Sequence, residues 1–317
     1  IARWSKANQT WEGLGVTSVN STVTAFYCMA FDANGDLYVG GKFTNVAGVT
    51  GANYVAKYAV ATGTWSSVGT GISHTTPTLT RVLTITISSD GTIFIGGYFD
   101  TAGGDTNCSY IAYFDKTYNN WCPLLTGLNG TVSTLKFASD GKLLIGGHFT
   151  NADGLNGDYI CWWDGSAFKS FTDLGATELN SYVLSIDVNP TGAIIIGGNF
   201  TNAGGDPNAD CIAAWRGNNW GALLAGGVSL DSGPSTIYRV FCITNGDIYI
   251  CGNFNRAGII EADRAARSVG SAWQRLDIDL PSSAVPIQSL FMASDGMLYL
   301  GGDFETTTSG VNAISAG

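Results

Sequence analysis

Residues 192–205 read Gly-Ala-Ile-Ile-Ile-Gly-Gly-Asn-Phe-Thr-Asn-Ala-Gly-Gly. A turn glycine leads into an apolar run, then a Gly-Gly pair, an aromatic and a Gly-rich loop. Working outward, Gly-Gly-x-Phe recurs as Gly40-Gly41-Lys42-Phe43, Gly96-Gly97-Tyr98-Phe99 and Gly146-Gly147-His148-Phe149. It continues as Cys251-Gly252-Asn253-Phe254 and Gly301-Gly302-Asp303-Phe304. Successive second glycines stand 56, 50, 51, 54 and 50 residues apart. Six residues before each lies Gly35, Gly91, Gly141, Gly192, Gly246 or Gly296, preceded by Asn or Asp in five of six copies. Asn-Gly and Asp-Gly between apolar runs signal a hairpin.

Each unit therefore reads as four strands. Strand a is an apolar run such as 26–31, and strand b follows the turn, as in 37–41. Strand c is an Ile/Val-Ala-x-aromatic segment (55–58, 111–114, 160–163, 212–215), and strand d starts at Trp65, Trp121, Phe168, Trp220 or Trp273. Four short strands per ~50 residues, with no 3.6 period between them, predict an all-β, six-bladed β-propeller of four-stranded antiparallel blades. The blades are expected near 24–72, 80–128, 131–176, 182–228, 236–280 and 286–317, forming a single domain.

The sixth unit runs out before a strand-d aromatic. The chain opens instead with an orphan c–d piece, Ile1-Ala2-Arg3-Trp4 and Trp11-Glu12-Gly13-Leu14-Gly15. Trp4 to Trp11 matches the spacing of Tyr58 to Trp65 and Phe114 to Trp121. Joining the ends makes the step from Gly302 to Gly41 56 residues, within the range of the others. Residues 1–15 are thus expected to complete the last blade, which removes two exposed sheet edges. Residues 312–317 also resemble a strand c and compete for that place, and a fragment of a longer repeat array is the rival reading.

Hydrophobic residues make up 45% of the 317, charged residues only 13%, and there are 43 glycines. This suits short strands joined by tight turns. A net charge of −10 argues against nucleic acid or an anionic membrane as partner. No 18-residue apolar stretch suggests membrane insertion, and Ile1-Ala2-Arg3-Trp4 is not a signal peptide. The seven cysteines lack metal spacing. Cys242 and Cys251 flank the Asn245-Gly246 turn, so a diagonal disulfide there competes with the better reading of buried thiols.

The string Gly-Gly-x-Phe-Thr-Asn-Ala-Gly-Gly … Tyr-Ile-Ala-x-Trp-Asp … Trp-x-x-Leu resembles a widespread class of propeller repeats. It is clearest at 200–205 and 111–115. Such repeats occur in secreted and cell-surface proteins, in fungal cortical polarity markers, and in phages and large DNA viruses. Kelch and galactose-oxidase propellers look like more distant relatives. The resemblance implies the fold and says almost nothing about activity. The fifth unit departs most, with Cys251 for Gly and Ser268 for an aromatic.

Catalytic constellations are thin. No Lys-Ser/Thr completes a P-loop after the Gly-Gly pairs, and the Gly pairs read as close approaches or bulges. With only His74 and His148, a multi-histidine metal site is excluded, and two histidines make the His/Tyr copper site of galactose oxidase implausible. There is no Gly-x-Ser-x-Gly elbow. Ser89, Ser139 and Ser294 begin Ser-Asp-Gly turns, without the Trp of a sialidase Asp box. No cofactor or metal is expected. Sequons at Asn8, Asn20, Asn107, Asn129 and Asn199 matter only in a secreted chain.

On strand a, residues four and six before the turn glycine are apolar throughout, and residues five and seven are mixed. The mixed columns include Lys136, Asp187 and Arg239 and are expected to line a central channel. Lys136 and Asp187 share a column in adjacent blades, which predicts an ion pair. The fifth unit gathers Arg256, Glu261, Asp263, Arg264 and Arg267 in a charge-poor chain, either a solvated face or a contact patch for a partner or neighbouring subunit. The expected function is a non-enzymatic structural or recognition module on a virion or cell surface, extracellular, binding protein or possibly glycan. A lectin is a related alternative. A secreted carbohydrate-active hydrolase or lyase, with its site at the channel mouth, is the enzymatic one.

Overall fold

The computed structural model describes residues 1–5, 7–16, 25–224, 226–230, 233–276, 286–293 and 296–302. Asp303, Phe304, Asn20, Ser294 and the competing 312–317 segment lie outside the described residues. The chain divides into two compact units, Ile1–Leu135 and Lys136–Gly317.

One antiparallel pattern, a-b-c-d, repeats among the described residues. In the first unit it builds Ala25–Phe31, Leu37–Lys42, Val55–Ala59 and Thr64–Ser67, then Arg81–Ile87, Ile93–Tyr98, Ile111–Asp115 and Asn120–Cys122. The third sheet runs Val132–Phe137, Leu143–Gly147, Ile160–Trp163 and Phe168–Ser170, its first strand carrying the boundary between units. The second unit adds Val183–Val188, Ile194–Gly198, Ile212–Trp215 and Trp220–Gly221, then Thr236–Cys242, Ile248–Asn253, Ala265–Val269 and Ala272–Arg275. Two further hairpins stand apart: Ala2–Ser5 with Thr10–Gly13, and Ile287–Met292 with Leu298–Gly302.

The Gly-Gly pair is a packing device. In five a–b ladders among the described residues strand a bulges, between Phe26 and Cys28, Val82 and Thr84, Val183 and Ser185, Ile237 and Arg239, and Ile287 and Ser289. Across from each bulge sits the second glycine. A Cβ on Gly41, Gly97, Gly198 or Gly252 would lie 2.1, 2.2, 2.0 or 2.1 Å from the carbonyl oxygen of Ala25, Arg81, Tyr182 or Thr236. The first glycine instead admits the next sheet. A Cβ on Gly40, Gly96 or Gly197 would meet the side chain of Val82, Val132 or Ile237 at 2.8, 2.4 or 2.5 Å. These three side chains are fully buried, each stabilising the stack by roughly 1.5–3 kcal/mol. In the fifth repeat Cys251 takes this position and shares a buried cluster with Ile287 and Leu290.

The a–b turns differ from the two-residue hairpin that Asn-Gly suggests. Gly35 N–H donates to Asp32 O and Asp32 N–H to Asp36 O, at 2.9 and 3.0 Å, and the other five turn glycines make the equivalent first bond. Only the glycine has positive φ, between 79° and 94°, while Asn34 does not. The loop is therefore a three-residue turn ending in a left-handed glycine, which supplies the bulge that keeps the strands twisted together.

A second left-handed position escapes sequence reading. The residue before strand c, Tyr54, Tyr110, Tyr159, Cys211 or Arg264, has φ between 61° and 68°. Its N–H donates to the carbonyl of Phe43, Phe99, Phe149, Phe200 or Phe254, and its carbonyl accepts from the second glycine of the pair. This double bond pattern offsets the strain that a side chain meets at positive φ.

The c–d aromatics pair directly across the strands, with Tyr58–Trp65, Phe114–Trp121, Trp163–Phe168 and Trp215–Trp220 centroids 5.1–5.2 Å apart. Trp4 and Trp11 share that register at 5.5 Å. Trp121 Nε1–H donates to Val68 O at 3.1 Å, and Trp65 Nε1–H to Leu14 O. Both acceptors lie three residues past the d-strand tryptophan of the preceding hairpin.

The seven cysteines are free thiols, so no disulfide joins Cys242 to Cys251. Cys242 faces Ile248 and Cys251 faces Arg239, which sets them too far apart along the ladder. Burial, with Asp187 adding to it, pushes the Cys242 thiol up to about 12. Ser268, where other repeats carry an aromatic, is buried and accepts from Ile248 N–H at 2.9 Å.

Candidate functional site

Strand a is the outer strand of its sheet, so every second N–H faces away from the ladder and needs an acceptor. The mixed column supplies it. Thr84 Oγ1 accepts from Leu135 N–H at 3.1 Å, and Ser185 Oγ from Val240 N–H at 3.0 Å. Thr84 and Ser185, both seven before a turn glycine, are buried, so at these two positions the column stitches adjacent strands, whereas Arg239 and Ser289 in the same column are exposed.

Asp187 extends the pattern. Its Oδ2 accepts from Cys242 N–H at 2.7 Å and its Oδ1 from Val188 N–H at 2.9 Å. Lys136 Nζ lies 2.6 Å from Oδ1, forming the ion pair, with side-chain exposures of 44% for the lysine and 7% for the aspartate. The carboxylate is thus engaged by three donors. Arg239, in the same region of strand a, is exposed.

In the fifth repeat the charged residues separate into roles. Arg264 occupies the left-handed slot before strand c. Arg267 Nε–H and Nη2–H both donate to Gln274 Oε1, at 3.3 and 3.1 Å, across strands c and d. Asp263 Oδ2 pairs with Arg275 Nη2 at 2.8 Å. Arg256 faces Glu261 across a small hairpin, Arg256–Ala257 with Ile260–Glu261. Val228–Ser229 adds a third strand to that hairpin, and Gly258 N–H donates to Gly227 O at 2.8 Å. At the tip stands Ile259, 96% exposed. The cluster is a braced hairpin with an apolar tip, in which Asp263 is answered by Arg275 and Arg267 by Gln274.

A further site went unread in the sequence. Asp158, 8% exposed, precedes the left-handed Tyr159, and its Oδ2 is buried without a hydrogen-bond partner. It lines a small cavity with Ser170, Thr172, Thr177, Glu178, Phe171 and Trp220 among others. Asn156 Nδ2–H donates to Glu178 Oε1 at 2.6 Å and its side chain also bonds Asp158. Burial, then the Glu178 charge, raises the Asp158 carboxyl to about 6. A folded-state value above the unfolded one means that the folded protein binds the extra proton. This contribution is complete below about pH 4 and is lost as pH rises through about 6. Asp158→Asn is therefore expected to raise the melting temperature at pH 7 and to flatten the melting-temperature profile between pH 4 and 6. An unchanged profile in a pH-resolved thermal melt would contradict this.

Comparison with known proteins defines the class. The model of the Rax2 C-terminal beta propeller domain matches residues 74–158. A chain of a mitotic checkpoint complex shares the fold with a TM-score of 0.58 and 18% identity, over 94% of this chain and 77% of that one. The extracellular domain of a one-component system of B. thetaiotaomicron gives a TM-score of 0.59 at 14% identity, over 93% of this chain and 34% of that one. A virginiamycin B lyase from Staphylococcus aureus is looser, at 0.44 and 12%, over 82% and 87%. No curated protein matches the chain. The fold is that of a β-propeller repeat protein, and the four-stranded sheets are its blades.

Proposed function

We propose that the chain is one domain, a closed six-bladed propeller, acting as a non-enzymatic recognition module on a cell surface or virion. The observation that carries the recognition reading is Ile259, an almost fully exposed isoleucine on a braced hairpin edged by Arg256 and Glu261. An apolar tip rimmed by charge is the composition of a protein-contact hot spot. The kinship in fold with a chain of a multiprotein complex and with an extracellular domain agrees with that reading. Low charge and Gly/Thr/Asn-rich loops suit display.

Closure is supported from both ends. The hairpin of residues 2–13 has the c–d register and its carbonyl at Leu14 receives Trp65, as a preceding blade's would. The hairpin Ile287–Met292 with Leu298–Gly302 carries the a–b bulge, between Ile287 and Ser289. A Cβ on Gly301 would meet only Ser289, at 3.9 Å, where its counterparts Gly40, Gly96 and Gly197 are filled by the next blade. Met29 is 61% exposed, although its counterparts Ile85, Leu135, Ile186, Val240 and Leu290 are buried. An open glycine slot and an uncovered apolar strand are complementary faces.

The recognition reading is tested by capture from a surface fraction of the source organism, with wild type and Ile259→Asp compared. Wild type is expected to retain a protein partner that the variant loses at least about tenfold, near 1.4 kcal/mol. Equal capture would contradict a contact through this hairpin. Glycan-array binding that Ile259→Asp leaves intact would move the reading to a lectin.

A further inference from the structure

The repeats allow Asp158 to be compared with its own counterparts. The residue before the left-handed position is Asn53, Asp158, Asp210 or Asp263 in the first, third, fourth and fifth repeats. Asn53 Oδ1 accepts from Asn45 N–H at 2.9 Å and Asp210 Oδ1 from Asn202 N–H at 2.8 Å, each closing its b–c loop. In the fifth repeat that loop is a hairpin, and Asp263 pairs instead with Arg275. The third repeat also has a hairpin there, Asn151–Ala152 with Leu155–Asn156. Its strand-d residue at the Arg275 position is Ser170, since Cys161 faces Ser170 as Ala266 faces Arg275. Asp158 thus has neither the loop amide nor the guanidinium, and Glu178 brings a second negative charge to the same cavity.

We infer that the cavity beside Asp158 and Glu178 binds a single hard cation, with Ca2+ the fitting ion. Its polar lining side chains, Asp158, Glu178, Ser170, Thr172 and Thr177, offer oxygen and neither imidazole nor thiolate, which selects against softer metals. The cavity has room for one water-sized occupant, so an organic ligand is too large. Ca2+ tolerates the irregular geometry of two carboxylates and neighbouring hydroxyls better than Mg2+ does. Ser170 Oγ accepts from Thr172 N–H at 3.2 Å and lies 2.7 Å from Thr172 Oγ1, so with Ser170 as the donor to Thr172 each hydroxyl keeps one lone pair for the ion. With two carboxylates and no group of three His, Cys, Asp or Glu side chains among the described residues, the affinity expected is weak, about millimolar.

Trp220 lines the cavity and provides the readout. With the full chain, tryptophan excitation is expected to give Tb3+ emission that saturates and that Ca2+ displaces. Millimolar CaCl2 is expected to raise the melting temperature. Asp158→Asn should lose both responses while staying folded by circular dichroism. Ser170→Arg, which restores the cation of the fifth repeat, should raise the melting temperature without Ca2+ and remove the Ca2+ response. Should Asp158→Asn fail to fold, Glu178→Gln at its exposed position is expected to weaken Ca2+ displacement about tenfold. A wild-type chain that gives no saturable response at 10 mM Ca2+, or variants that respond as wild type does, would overturn the inference.

Discussion

Gly198→Ala is expected to leave no stably folded protein. The added methyl would stand 2.0 Å from Tyr182 O and 3.0 Å from Tyr182 C, which are backbone atoms of the residue leading into the bulge of strand a. Neither partner can yield. Gly198 N–H is held by Cys211 O at 2.9 Å, and the bulge is held by the ladder from Val183 to Val188. Relief requires parting strands a and b, so the cost is expected to exceed about 4 kcal/mol, the exceptional end of single substitutions. Gly205→Ala is the control. It has a φ of +79° with nothing within 4 Å, so only the left-handed strain of about 1–2 kcal/mol applies. Urea denaturation of both variants tests the point. A Gly198→Ala protein within about 1 kcal/mol of wild type would refute the bulge account.

The second large effect is expected at Asp187. Removing its carboxylate in Asp187→Ala strands Cys242 N–H and deprives Lys136 of its partner. A hydrogen bond to a charged group contributes about 1.5–3 kcal/mol, and an unsatisfied buried N–H adds to the loss. A total near 3 kcal/mol is expected by urea denaturation. Asp187→Asn keeps an acceptor for the amide and should lose about half as much. Lys136 is 44% exposed, so solvent screens its share, and Lys136→Met should cost less than about 1 kcal/mol. Equal losses for Lys136→Met and Asp187→Ala would instead make the ion pair the dominant contribution.

This ordering revises the meaning of the inner-strand charges. The ion pair itself was legible in the sequence, because Lys136 and Asp187 fall in one column of adjacent repeats. Its role as a backbone acceptor was not, because Cys242 N–H is anonymous in sequence. The four-strand repeat was legible because Gly-Gly-x-Phe marks two sterically forced positions at once. The left-handed slot before strand c was not, since Tyr, Cys and Arg all occupy it and none signals positive φ. Arg264 therefore read as surface charge. Asp158 resembled any loop aspartate, and only burial distinguishes it. Aligning Ser170 with Arg275 would have been the available signal, and it needs the strand register to be meaningful.

The central claim, a ring closed between the last a–b hairpin and the first full blade, can be tested on the chain's three methionines. Met297 follows the turn glycine of the last a–b hairpin and is 60% exposed. Met29 lies on the strand that closure would cover. Timed oxidation with hydrogen peroxide, read by peptide mass spectrometry, compares the two directly. A closed ring predicts that Met29 oxidises at least about tenfold more slowly than Met297, as expected for a methionine packed against apolar neighbours. Equal rates would contradict closure.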